Sequence, residues 1–117
     1  MDSVKPEAIP TSLWSLLNSR GDFERIAAGE LLWQPGDERT ERSYIVTRGL
    51  LRLFHPSHDG HSVTLLAIGP GGILGHDTNP LKKTYLTGAE ALCESQLLGV
   101  LIAFLEQCLG MPDALGR

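Results

Sequence analysis

The sequence predicts a mainly β chain: an antiparallel double-stranded β-helix, or jelly roll, flanked by short helices. Three observations lead there. From Ile26 to Val100, glycine recurs at close intervals (Gly29, Gly36, Gly49, Gly60 and onward to Gly99) between short apolar stretches. Those stretches alternate apolar with polar residues and are rich in β-branched and aromatic side chains, as half-buried strands are. A helical period shows only before Gly21 and after Gly99. Many short strands joined by tight turns fold as a sandwich, jelly roll or small barrel.

Taken in order, residues 1–10 are polar and Pro-punctuated and read as a flexible arm, with the folded domain over residues 11–117. Leu13, Trp14, Leu16 and Leu17 predict a short amphipathic helix, with Thr11 or Ser12 available as its N-cap. Gly21 ends that stretch. Strands follow over residues 43–47, 50–54 and 62–68, and the predicted roll runs from about Gly29 to Val100. Asp59-Gly60 between two strands predicts a hairpin, because glycine tolerates positive φ. Beyond Gly99, Leu101, Leu105, Cys108 and Leu109 fall on one helical face, with Gly110 placed to terminate it. Met111-Pro112-Asp113 then reads as the first turn of a further helix, on a remainder too short to hold one alone.

Composition narrows the function classes. A chain of 117 residues makes one domain and buries roughly two-thirds of its unfolded surface, so it folds without a disulfide or metal. The net charge is −4 and no run of Lys and Arg forms a stripe, so this stretch alone is a poor nucleic-acid binder. No apolar segment is long enough for a signal peptide or a membrane span, and a cytoplasmic location is expected. Cys93 and Cys108 stand apart without ligand-like spacing, and are expected to be buried, reduced thiols. No Ser-His-Asp set, Walker loop or dinucleotide fingerprint occurs, and no catalytic role is expected.

Several segments, in this order and spacing, carry a resemblance. They are Gly29-Glu30-Leu31-Leu32, the turn Gln34-Pro35-Gly36-Asp37-Glu38, Ser43-Tyr44-Ile45-Val46-Thr47-Arg48-Gly49 and the Asp59-Gly60 hairpin, then Gly71-Gly72-Ile73-Leu74-Gly75 and Ala89-Glu90-Ala91-Leu92-Cys93-Glu94. From about Leu13 to Arg117 the chain resembles the N-terminal effector domain of Crp/Fnr transcription regulators. The resemblance implies a cyclic-nucleotide-binding-type jelly roll that senses a small-molecule effector. It also implies a following long helix through which two subunits form a homodimer, and a helix-turn-helix that reads DNA, both beyond these residues. The Met111-Pro112-Asp113 turn resembles the lead-in to that helix.

In nucleotide-binding members of the family a Gly-Glu pair, a loop and an Arg-Ser/Thr-Ala run hold the ligand. Backbone N–H groups cradle the cyclic phosphate, Arg forks onto its oxygens and Glu accepts the ribose hydroxyl. The matching positions here are Gly75, His76, Lys83, Thr84 and Tyr85, which are the candidate ligand-binding residues. His76 stands for Glu, Lys83 for Arg and Tyr85 for the small Ala, while the loop from Asp77 to Lys82 is shorter. Lysine gives no bidentate fork, so a cyclic nucleotide is not expected as ligand, and no cofactor is expected. Two alternatives stay open. One is a cupin-like metal enzyme drawing on His55, His58, His61 and His76, whose spacing lacks the His-x-His pattern and a nearby Glu. The other is a haem-based sensor of the same family, with His76 or Cys93 as iron ligand.

Overall fold

Among residues 5–76 and 83–110, which the computed structural model describes, eight strands lie between two helices. They are α1 (Thr11–Arg20), β1 (Asp22–Ile26), β2 (Leu31–Trp33), β3 (Arg42–Arg48), β4 (Leu51–Pro56), β5 (Ser62–Ile68), β6 (Ile73–Leu74), β7 (Gly88–Ala91), β8 (Ser95–Leu101) and α2 (Ile102–Leu109). The strands form two four-stranded sheets, ordered β1-β8-β3-β6 and β2-β7-β4-β5, with every pairing antiparallel. This is the mainly β roll with flanking helices that the sequence predicts. It begins earlier than expected, at Asp22, because β1 is exposed along all but its last residue and gives no apolar alternation to read.

Two cores share the central sheet. Val46 of β3 and Leu97 of β8, with Leu74 of β6, face the other sheet, where they meet Trp33, Leu51 and Ala89. Their neighbours Ile45 and Leu98 face the helices and meet Trp14, Leu17 and Leu105. Strands covered on both faces lose the polar–apolar alternation of half-exposed ones, which is why β8 reads as the near-continuous run Leu97-Leu98-Gly99-Val100. The β4–β5 hairpin closes where Asp59-Gly60 predicts it, with the Ser57 N–H donating to His61 O and the Gly60 N–H to Ser57 O.

Local expectations are corrected at the ends. Pro10, in extended conformation (ψ 146°), occupies the N-cap of α1, and Thr11 and Ser12 lie within the helix. The fixed φ of Pro10 suits the helix start, and no side chain caps the first turn. Residues 5–10, read as part of a loose arm, are held down: Pro6 and Ile9 are buried, Ile9 against the helical core, and Lys5 Nζ donates to Ile9 O. In α2 the buried pair is Leu105 and Glu106, while Leu101 and Leu109 are exposed. The helix ends at Gly110, in left-handed conformation, as predicted. The cysteines are free, but Cys93 is exposed in the β7–β8 turn and Cys108 half-buried, because a turn cannot bury a side chain that the helical core does not reach. Met111-Pro112-Asp113 lies outside the described residues. No described helix is long and apolar enough to cross a membrane.

Candidate functional site

The strap that organises the site is a pairing of two chain-distant loops. The turn after β2 is closed by Asp37, whose N–H donates to Gln34 O and whose carboxylate accepts from the Gln34 N–H. Residues 36–39 then run antiparallel to 83–85: the Tyr85 N–H donates to Asp37 O, the Gly36 N–H to Tyr85 O, the Arg39 N–H to Lys83 O, and Glu38 bridges Thr84. This pairing delivers Tyr85 into the roll, where it is buried, and leaves Lys83 and Thr84 exposed.

Beside the strap lies a cleft of about 240 Å³ lined by Trp33, Arg39, Leu53, Gly75, His76, Thr84, Tyr85, Leu86 and Thr87. Four of the five residues expected from the sequence thus converge on one cavity. Lys83 is the exception: its backbone joins the strap, but it is not among the lining residues. The loop over residues 77–82 lies outside the described residues.

Aromatic packing forms the inner wall. The Trp33 and Tyr85 rings stack with centroids 4.0 Å apart and planes 5° from parallel. Trp33 Nε1 donates to Thr87 O at 3.0 Å, satisfying the buried indole, and Tyr44 tilts toward the same ring at 6.4 Å. Gly75 holds φ at +80°, and a Cβ there would sit 3.2 Å from Arg42 O and 3.4 Å from the indole. That glycine is needed for both conformation and room. The Tyr85 hydroxyl reaches Thr40 only at 3.5 Å, to the backbone N–H and to the side-chain oxygen.

Arg39 and His76 bring polar groups to the cleft. Arg39 donates to Gly75 O at 3.3 Å, and its guanidinium carbon lies 5.7 Å from the Tyr85 centroid, within cation–π range. Both ring nitrogens of His76 are shielded from solvent and make no hydrogen bond among the described residues. Buried polar atoms without partners are uncommon and costly, so His76 supplies hydrogen-bonding capacity that the fold does not use.

The sequence reading missed Trp33, Arg39, Leu53, Leu86 and Thr87. Trp33 resembles any strand aromatic, and Arg39 reaches the cleft only through a pairing across more than forty residues. The histidines weighed as metal ligands are scattered, with His55, His58 and His61 exposed around the β4–β5 hairpin. No three of His, Cys, Asp or Glu come together among the described residues. The two candidate haem ligands are also apart: His76 lines the cleft, whereas Cys93 follows the opposite end of β7 from Gly88.

Comparison with known proteins fits this geometry. The chain belongs to the cyclic nucleotide-binding domain family, whose model matches residues 23–110. Several of its structural neighbours are described as transcriptional or global regulators. It is similar to the N-terminal domain of a transcriptional regulator from Streptomyces coelicolor A3(2), with 26% identity and a TM-score of 0.70, over 88% of this chain and 71% of that one. Similarity to a cyclic nucleotide-binding-like protein from Brucella abortus bv. 1 str. 9-941 reaches 29% identity and a TM-score of 0.67, covering 89% and 88%. The Thermus thermophilus catabolite activator protein shares the fold at 21% identity and a TM-score of 0.71, with 89% of this chain matching 48% of that one. No curated protein matches the chain.

Proposed function

We propose that the chain is the effector-sensing domain of a Crp/Fnr-like transcription regulator, which binds a small molecule other than a cyclic nucleotide in the Gly75–Tyr85 cleft. One observation carries this reading: Gly75, His76, Thr84 and Tyr85 border one cavity, in which the His76 nitrogens are shielded and have no hydrogen-bond partner among the described residues. The chemistry argues against a cyclic phosphate. His76 has no carboxylate for a ribose, and Lys83 is exposed beside the cleft. Each lost charged hydrogen bond costs about 1.5–3 kcal/mol, and two such losses weaken a micromolar ligand to roughly millimolar. On this reading the domain acts without catalysis or cofactor in the cytoplasm. DNA is read by a C-terminal helix-turn-helix and homodimerisation occurs through the helix before it, both supplied by further chain.

Calorimetry with cyclic AMP tests the ligand side. The wild-type chain is expected to give no binding heat at micromolar concentrations, and micromolar affinity would overturn the non-nucleotide reading. The same cleft should raise the melting temperature in the presence of its effector. A thermal-shift screen over small metabolites, repeated with His76→Ala, is expected to find a shift that the variant loses.

A further inference from the structure

We propose that Tyr85 is a tethered competitor for the binding site: its phenol ring occupies the face of Trp33 on which a planar ligand ring would otherwise stack. The inference rests on the cleft being the effector site and adds what selects its ligand. Three observations support it.

The first is geometric. A separation of 4.0 Å with planes 5° from parallel is the arrangement of two flat rings in full contact, whereas unconstrained aromatic pairs in proteins favour offset or edge-to-face geometry. The second is anchorage. The Tyr85 backbone is hydrogen-bonded on both sides, through its N–H to Asp37 O at 2.9 Å and through its carbonyl to the Gly36 N–H at 2.8 Å. The ring is therefore presented to Trp33 from a fixed position. The third is the polar end. The hydroxyl meets Thr40 only at the 3.5 Å limit, so the side chain is placed by its ring and not by its oxygen.

Trp33 itself is well held. Its indole N–H is bonded to Thr87 O, its six-membered ring abuts Gly75, and Tyr44 flanks it. Removing Tyr85 would leave a flat, rigid aromatic platform at the wall of an open cleft. A tethered group competes at an effective concentration on the order of millimolar. A free ligand needing the same face is weakened by the fraction of time that the face is uncovered. Tyr85 thus excludes purine rings whatever polar anchors surround them, and it directs wild-type specificity to molecules that fit the cleft beside the stack.

The test uses the whole chain with Tyr85→Ala, Tyr85→Val and Tyr85→Phe, probed with adenosine and with p-cresol, the excised side chain. Fluorescence of Trp33, one of two tryptophans, and melting temperature are the readouts. Tyr85→Ala and Tyr85→Val are expected to bind adenosine at least tenfold more tightly than wild type, and Tyr85→Phe to behave as wild type. If the truncated variants are unfolded at rest, folding becomes the readout, because a ligand that binds only the folded state restores it. Recovery with both probes supports the proposal. Recovery with p-cresol alone, or with neither, overturns it, as does adenosine binding to wild type with the affinity of Tyr85→Ala. These failures leave the effector reading standing, and micromolar cyclic AMP binding by wild type removes only its non-nucleotide part.

Discussion

At Gly49 the backbone holds φ at +95°, and a Cβ would lie 2.7 Å from the Ser95 Cα. The contact is tight because Ser95 knots the turn: its buried Oγ accepts from the Leu50 N–H at 3.1 Å and donates to Cys93 O at 2.8 Å. Gly49→Ala meets both a conformation disfavoured for L-residues and backbone that cannot retreat. It is expected to cost about 2–4 kcal/mol, read as a lower urea midpoint. Tyr44 makes a different prediction. Burial, and then the Glu24 charge, raise its phenol pKa above the ordinary 10.0, with Arg42 opposing. The folded chain therefore holds this proton more tightly than the unfolded chain. Its contribution to stability is complete below the ordinary tyrosine value and declines as pH rises past it. Ultraviolet titration of the folded protein should show one phenol ionising late, and Glu24→Gln should bring that ionisation earlier.

Among the elements, β5 is an edge strand that pairs only with β4 and is tied further into its sheet by one side chain. Arg52 of β4 pairs with Glu90 of β7 at 2.7 Å and donates to Thr64 and Ser62 of β5, each at 2.8 Å, while its guanidinium carbon lies 4.7 Å from the Phe54 centroid. The two charged side chains are 18% and 24% exposed, so the pair is partly desolvated and the network is worth about 1–3 kcal/mol. Arg52→Lys keeps the charge but cannot reach three strands at once. Amide exchange along β5 is expected to quicken in that variant nearly as much as in Arg52→Ala; an unchanged β5 would show that the ladder alone secures the edge. What the sequence revealed follows the same division between local and distant. The Asp59-Gly60 hairpin and the Gly110 helix stop are set by residues adjacent in the chain, and both were legible. Gly75, His76, Thr84 and Tyr85 could be named because the resemblance to the family's ligand-binding run covers those positions. Trp33 and Arg39 could not, since the strap joining residues 36–39 to 83–85 forms only when the roll closes. The exposure of Leu101 and the burial of Glu106 were hidden for a similar reason, as α2 is oriented by the sheet it leaves and not by its own apolar pattern.

For the molecule as a whole, the charge of −4 sets its behaviour toward polyanions. This chain by itself is expected to leave a promoter duplex unshifted in gel electrophoresis, and retardation that weakens steeply with salt would refute that expectation. The roll also fixes how any movement inside it is conveyed. β8 lies between β1 and β3 at the centre of its sheet, and α2 starts at Ile102, directly after Leu101, with no connecting residue between strand and helix. The Ile102 N–H is bonded to Glu41 O at 2.8 Å, beside the Arg42–Leu101 pairing. There is no slack in this joint. A slip of β8 by one residue against β3 would turn Leu97 and Leu98 to the opposite faces of the sheet and break both cores. The strand works as a shaft and the helix as a pointer fixed to its end, so the direction in which α2 points is set by a hydrogen-bond register inside the sheet.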